Sequence, residues 1–220
     1  PEHLRLLGLL HIPRSRLSTK LGLTVSDEPI HVYLFPTAEE LAAYMRVHFP
    51  ELPERRAFFV ESDTRLTVYA YWGDRVAEDL RHEVAHGYLH AVVPHLPLWL
   101  DEGLAEYFEV PRGLSGVNRQ HVEQLVAELE HGWWPEVRRL EQLNDAGALK
   151  QIDYAESWAW VHLLLETSPQ RRETLRAYLQ ALTSTAPTGP LSAMLPTGDA
   201  AEALEQQLID HLRMLHQSSQ

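Results

Sequence analysis

Residues 81–86 read Arg81-His82-Glu83-Val84-Ala85-His86, and they stand where the chain changes character. Upstream lie short runs rich in β-branched and aromatic residues, fenced by prolines. From Asp74 onward the apolar pattern is almost entirely helical. A small sheet first and helices afterwards is the signature of an α+β chain, with any site at the seam. The expected organisation is therefore one domain over residues 1–220. A sheet lobe with its helices spans 1–73, and a mainly α-helical lobe carrying the site spans 74–220.

On a helix, the spacing of His82 and His86 has a chemical meaning. Four residues are about 400° of rotation, so the two imidazoles lie about 40° apart and one turn along the axis. Both can reach one metal ion. Glu83 sits about 100° round from His82, at the edge of that face, where it can touch a water on the metal without ligating it. Two nitrogens, one carboxylate and an open water position make the hydrolytic zinc arrangement.

Composition limits the alternatives. The 220 residues carry 19 basic and 31 acidic side chains, a net charge of −12, which argues against a nucleic-acid partner. There is no cysteine, so any metal is held by imidazole and carboxylate. With 13 histidines, chance places a His-Glu-x-x-His somewhere with a probability of roughly 0.07, so the motif needs support from elsewhere. The longest apolar runs, such as Ala91–Leu100, are broken by Pro94, His95 and Pro97 and fall far below the roughly 20 residues of a membrane span. The chain opens at Pro1, as a processed form or an excised domain would.

Before the motif, Glu2–Leu10 is apolar at helical spacing and ends near Pro13. Strands are expected at Ile30–Phe35, Ala57–Glu61 and Arg65–Tyr71, with a turn at Ser62-Asp63-Thr64. Thr37 caps a helix running to about His48, with Glu40 completing a capping box. Arg65–Tyr71 alternates, so it has two distinct faces. After the motif, helices are expected at about Arg75–Val93, Leu100–Phe108, Val117–His131, Ala155–Glu166, Arg171–Leu182 and Asp199–Leu215. The Pro- and Gly-containing stretch Ala186–Gly198 reads as a loop.

The support comes from Leu98-Trp-Leu-Asp-Glu-Gly-Leu-Ala-Glu-Tyr-Phe-Glu109. Four carboxylates there, Asp101, Glu102, Glu106 and Glu109, compete to be the third ligand. Glu102 and Glu106 are one turn apart, and Glu109 follows another turn along. Tyr154-Ala-Glu-Ser-Trp158 then opens an apolar helix. His90 continues the row of His82 and His86 but rises about 12 Å from His82, too far for all three to share one ion. It reads as a supporting or surface residue, His95 as structural or facing the cleft, and His162 as a residue two turns beyond Tyr154 that can approach the site. Arg138 and Arg139 read as surface charges.

The segment Trp99-Leu-Asp-Glu-Gly-x-Ala-x-Tyr107 resembles the third-ligand helix of the gluzincin metallopeptidases, the group of thermolysin and the zinc aminopeptidases. As a whole, from about Ile30 to the last helix, the chain most resembles the peptidase-MA-like domains of unknown function found in bacterial proteins. The resemblance implies a zincin-like fold, zinc on His82, His86 and Glu102, and Glu83 as general base. It also implies acids at Glu106 and Glu109 beside the ligand, and that Tyr154 steadies the oxyanion. Because ligating imidazoles donate their second N–H to a carboxylate or carbonyl, Asp101, Glu106 and Glu109 are expected to orient them, the alternative for Glu106 and Glu109 being a solvated helix face. The gap from His86 to Glu102 is slightly shorter than in those families, and Pro94 and Pro97 suit a tight turn there. The aminopeptidase segment Gly-x-Met-x-Asn, which helps hold a substrate's free amine, is missing. That shifts the expectation toward an endopeptidase acting on peptides or proteins. Arg65–Tyr71 precedes the motif helix as the substrate-pairing edge strand of gluzincins does, and as an edge it would bind extended peptide. The alternative is a non-catalytic, metal-stabilised binding or scaffold module with the same geometry. Glu83 weighs against it, since metal holding does not need that residue.

Overall fold

The computed structural model describes residues 15–24, 26–62, 65–184 and 186–218. The expected helix at Glu2–Leu10 and residues 63–64 of the turn lie outside them. Three strands form one mixed sheet in the order β1-β3-β2: β1 is Ile30–Phe35, β2 is Ala57–Ser62 and β3 is Arg65–Tyr71. β1 runs parallel to β3, with Val32 opposite Val68, and β2 runs antiparallel to it, with Phe59 opposite Val68.

Arg65–Tyr71 is thus the central strand, and the expectation that it forms an edge is corrected. Its two faces are different but both are buried. Tyr69 packs with Phe58 under helix α2 (Ala38–His48), against Leu41 and Met45. Val68 and Ala70 pack with Ala57 under helix α3 (Val76–His90), against Leu80 and Val84. Alternation reported two environments, but neither is solvent. The edges are β1 and β2; both meet α3, and β2 makes the larger contact with it. Thr37 does cap α2, its Oγ1 accepting from the Glu40 N–H at 3.3 Å.

The helical lobe follows. A helix with described residues 15–21 (α1) adds Leu17 and Leu21 to its core. Beyond α3 come α4 (Leu98–Glu109), α5 (Arg119–Glu130), the single turn α6 (Val137–Leu140), α7 (Gln151–Glu166), α8 (Pro169–Leu182) and α9 (Asp199–Gln217). The connection from α3 to α4 holds seven residues, 91–97, and Pro97 sits at the N-cap of α4. The stretch Ala186–Gly198 contains one short 3₁₀ turn, Leu191–Met194.

Helix α7 is apolar around nearly its whole circumference, so it runs through the middle of the lobe. Helices α4, α5, α8 and α9 pack around it, and Trp99, Tyr107, Phe108, Trp158 and Trp160 fill the core. The most extensive of these contacts is between α4 and α7, which come very close at Gly103. A Cβ there would stand 2.5 Å from the Ser157 carbonyl oxygen, so only glycine permits this separation. No described helix is long and apolar enough to cross a membrane.

Candidate metal centre

Three elements build the site: α3 supplies His82, Glu83 and His86, α4 supplies Asp101, Glu102, Glu106 and Glu109, and α7 supplies Tyr154. The i, i+4 spacing on α3 brings His82 Nε2 and His86 Nε2 to 3.1 Å from each other. Glu102 Oε2 faces both, at 3.5 Å from His82 Nε2 and 3.7 Å from His86 Nε2. These three side chains form one group able to hold a metal ion. A tetrahedral site with bonds of about 2.0–2.2 Å has ligand–ligand edges of about 3.3–3.5 Å, so the triangle fits such a cation closely.

The far sides of the imidazoles explain why. His82 Nδ1 donates to Glu109 Oε2 at 3.0 Å. Asp101 Oδ1 lies 2.9 Å from His86 Nδ1, although the N–H does not point squarely at it. Carboxylates on both Nδ1 atoms draw the protons there and leave both Nε2 lone pairs facing each other and Glu102. Three converging lone pairs in a largely buried site repel unless a cation sits among them. The electrostatics agree. Burial depresses the imidazoles, but Glu102 and Glu109 hold His82 well above the ordinary histidine value, and Asp101 raises His86. Burial works against the Asp101 carboxylate as well. His86 and His90 outweigh it and keep that carboxyl below the usual range.

Other expected residues sort themselves out. Glu106 does not reach the second nitrogen of a ligand. Its Oε2 accepts from His121 Nε2 at 2.8 Å and, more weakly, from Asn118 Nδ2 at 3.4 Å. Asn118 also donates to Glu109 Oε1 at 3.2 Å, so it links the two acids. Burial and the charge of Glu106 raise Glu109, whereas His121 overcomes burial to hold Glu106 low. The sequence did not single out Asn118 or His121. They come from the start of α5, whose preceding loop is pinned by Trp158 Nε1 donating to the Gly116 carbonyl at 2.8 Å. The one available signal was Asn118 as a helix N-cap, and its Oδ1 does accept from the His121 N–H.

Glu83 and Tyr154 line the same cleft of about 750 Å³, together with His82, Glu102 and His121. Glu83 has no side-chain hydrogen bond among the described residues. Tyr154 lies in the first turn of α7, which starts four residues earlier than expected. Burial and the nearby Glu102 raise its phenol, with Arg55 countering.

The family described as "Protein of unknown function (DUF1570)" matches residues 76–189, just over half of the chain. The chain belongs to this family. The matched span of this DUF1570 protein begins with α3 and takes in every helix that lines the cleft. No curated protein matches the chain.

The expectations for His162 and Arg139 change, and for His95 the cleft-facing alternative falls away. His95 lines a separate groove with Pro97 and Tyr178. His162 does not approach the metal centre, because its Nδ1 is 2.9 Å from His211 Nε2 at the α7–α9 contact. Arg139 is no free surface charge. It binds Asp153 at 2.6 Å and the fully buried Glu156 at 2.7 Å, the two acids that flank Tyr154.

Proposed function

We propose that this protein is a zinc-dependent peptidase of gluzincin type, more an endopeptidase than an aminopeptidase. The observation that carries the reading is the convergence of the His82, His86 and Glu102 lone pairs beside an otherwise unengaged Glu83. Zinc bound there supplies a Lewis acid and brings the pKa of a water near neutrality.

The chain's own residues then divide the work. Glu83, free of other partners, accepts the proton of the attacking water and hands it to the leaving amine. Tyr154 keeps its hydroxyl proton at neutral pH and donates a hydrogen bond to the oxygen that gains charge. Where such donors have been removed elsewhere, the loss is about 2.7–4 kcal/mol. The β2 strand, whose first residue Ala57 borders the cleft, has an outer edge that no described strand pairs with, suited to an extended backbone.

The endopeptidase preference rests on the acids of the cleft. Asp79 is paired with Arg56, Glu78 with Arg75, Glu106 with His121 and Glu109 with His82. Apart from Glu102, given to the metal, and Glu83, given to proton transfer, no described cleft carboxylate is left to anchor a substrate's free amine.

Metal analysis of protein purified without added zinc, followed by turnover on an unbiased peptide library, tests the proposal. The expected result is about one zinc per chain and internal cleavage, with Glu83→Gln retaining zinc and losing cleavage. A zinc-loaded wild type that cleaves nothing, or a Glu83→Gln variant as fast as wild type, overturns it. The first of those outcomes assigns the site to a metal-stabilised binding module.

A further inference from the structure

His90 lies outside the His82, His86 and Glu102 group, although with His86 and Asp101 it forms a second group of potential ligands, and it is held more firmly than a surface histidine needs to be. Its Nε2 lies 2.9 Å from Asp101 Oδ2, and its Nδ1 lies 2.8 Å from Glu61 Oε2 of strand β2. The ring of Phe59, also on β2, packs edge-on against it with centroids 5.1 Å apart. Asp101 in turn contacts His86 through its other oxygen, at 2.9 Å. The four groups Glu61, His90, Asp101 and His86 therefore form an unbroken chain from the sheet edge to the metal centre.

We infer that His90 is a positioning residue: anchored by Glu61, it fixes the plane of the Asp101 carboxylate and so the orientation of His86 toward the metal. A carboxylate bound through one oxygen can still turn about its Cβ–Cγ bond. Bound through both oxygens to two rings, it cannot. The need is specific to this link, because the His86–Asp101 contact is short but poorly aligned, whereas His82 and Glu109 make a well-formed hydrogen bond. His86 thus depends on whatever holds Asp101 still. The anchor comes from β2, so the strand bordering the cleft and the metal ligand are parts of one rigid assembly. Removing groups that support metal ligands costs about 10–100-fold in metal affinity in other proteins.

The inference rests on the reading that His82, His86 and Glu102 hold the metal. It is tested by metal binding, independently of catalysis. Cobalt(II) serves as probe, with affinity from chelator competition and the visible absorption spectrum reporting ligand geometry. His90→Phe keeps the ring and its packing on Phe59 while removing both polar contacts. It is expected to weaken cobalt binding by about 10-fold or more and to change the spectrum. Glu61→Ala, at the half-exposed end of the chain, is expected to weaken binding in the same direction by a smaller factor. His90→Gln, which can still donate to Asp101, is expected to recover part of the loss.

Wild-type affinity and spectrum in His90→Phe overturn the inference, as does a lowered melting temperature with unchanged cobalt binding. If His90→Phe does not fold, Glu61→Ala and His90→Gln decide, and unchanged binding in both overturns it. A wild type that binds cobalt but hydrolyses no peptide refutes the peptidase proposal alone. A wild type that hydrolyses while His90→Phe binds normally refutes this inference alone.

Discussion

Two pairs of histidines in this protein are almost equally close and chemically opposite. On α3, His82 and His86 bring their Nε2 atoms to 3.1 Å; between α7 and α9, His162 and His211 approach to 2.9 Å. Around the first pair stand Glu102, Glu109 and Asp101, which raise both imidazoles. Around the second stand the rings of Trp158 and Tyr107. The nearest acid, Glu166, is already bound to Lys20 at 2.6 Å and to Tyr107. Burial and the facing imidazole accordingly push His162 down to about 4, and burial lowers His211. One pair is set up to accept a cation between its rings, while the other is two neutral rings in one hydrogen bond. Proximity of two imidazoles does not by itself make a candidate metal centre; the carboxylates behind the first pair set it apart.

The contrast is broken most directly by removing one ring from each pair. His86→Ala is expected to take bound metal from about one per chain to none, and His211→Leu to leave it unchanged, as read by metal analysis after gel filtration. Retained stoichiometry in His86→Ala would place the metal elsewhere. Next in size, Glu83→Gln is expected to lower peptide turnover by roughly 10²–10⁴-fold with the metal content intact.

The third prediction concerns acid. An unfolded histidine takes its proton near 6.5, and folded His162 resists until about 4. The stability it contributes is therefore complete above pH 6.5 and is lost as pH falls toward 4, by about 3 kcal/mol at most. Urea unfolding at several pH values should show this slope in the wild type and a flatter one in His162→Phe; equal slopes would refute it. The α3 pair acts with the opposite sign in metal-free protein. Its raised pKa values favour the folded state at low pH, and the metal must displace those protons, so metal affinity should climb with pH. The smallest effect is expected from Asp101→Asn, a loss of about 10–100-fold in metal affinity measured by chelator competition. A full wild-type affinity there would show that the histidines need no carboxylate behind them.

Local sequence was enough for much of this. Ile30–Phe35 and Arg65–Tyr71 were legible because β-branched and aromatic residues between breakers have few other homes, and Thr37 because a cap is a contact across three residues. His82, His86 and Glu102 were legible because the spacing along α3, together with the α4 resemblance, fixes them. Sheet order was not legible. The alternation in β3 reports two environments but not whether the second is α2 or water. The partners of the acids were equally hidden. Asp101 and Glu109 serve His86 and His82 while Glu106 serves His121, a division set by how α4 and α5 sit against α3. Arg139 looked like a surface charge because its partners Asp153 and Glu156 lie on α7, across a turn and a 3₁₀ segment. Of thirteen histidines, composition could not say that His82, His86, His90 and His121 are the ones set against carboxylates.

Gly103 follows Glu102 on α4, and its missing side chain lets that helix lie against the Ser157 carbonyl on α7, three residues after Tyr154. The hydrogen on its Cα acts as a gauge between the two helices. Any larger residue would widen the gap by the size of a methyl group and carry Glu102 away from the phenol across the cleft. One of the tightest tolerances in the molecule is thus met by an atom outside the candidate ligand set.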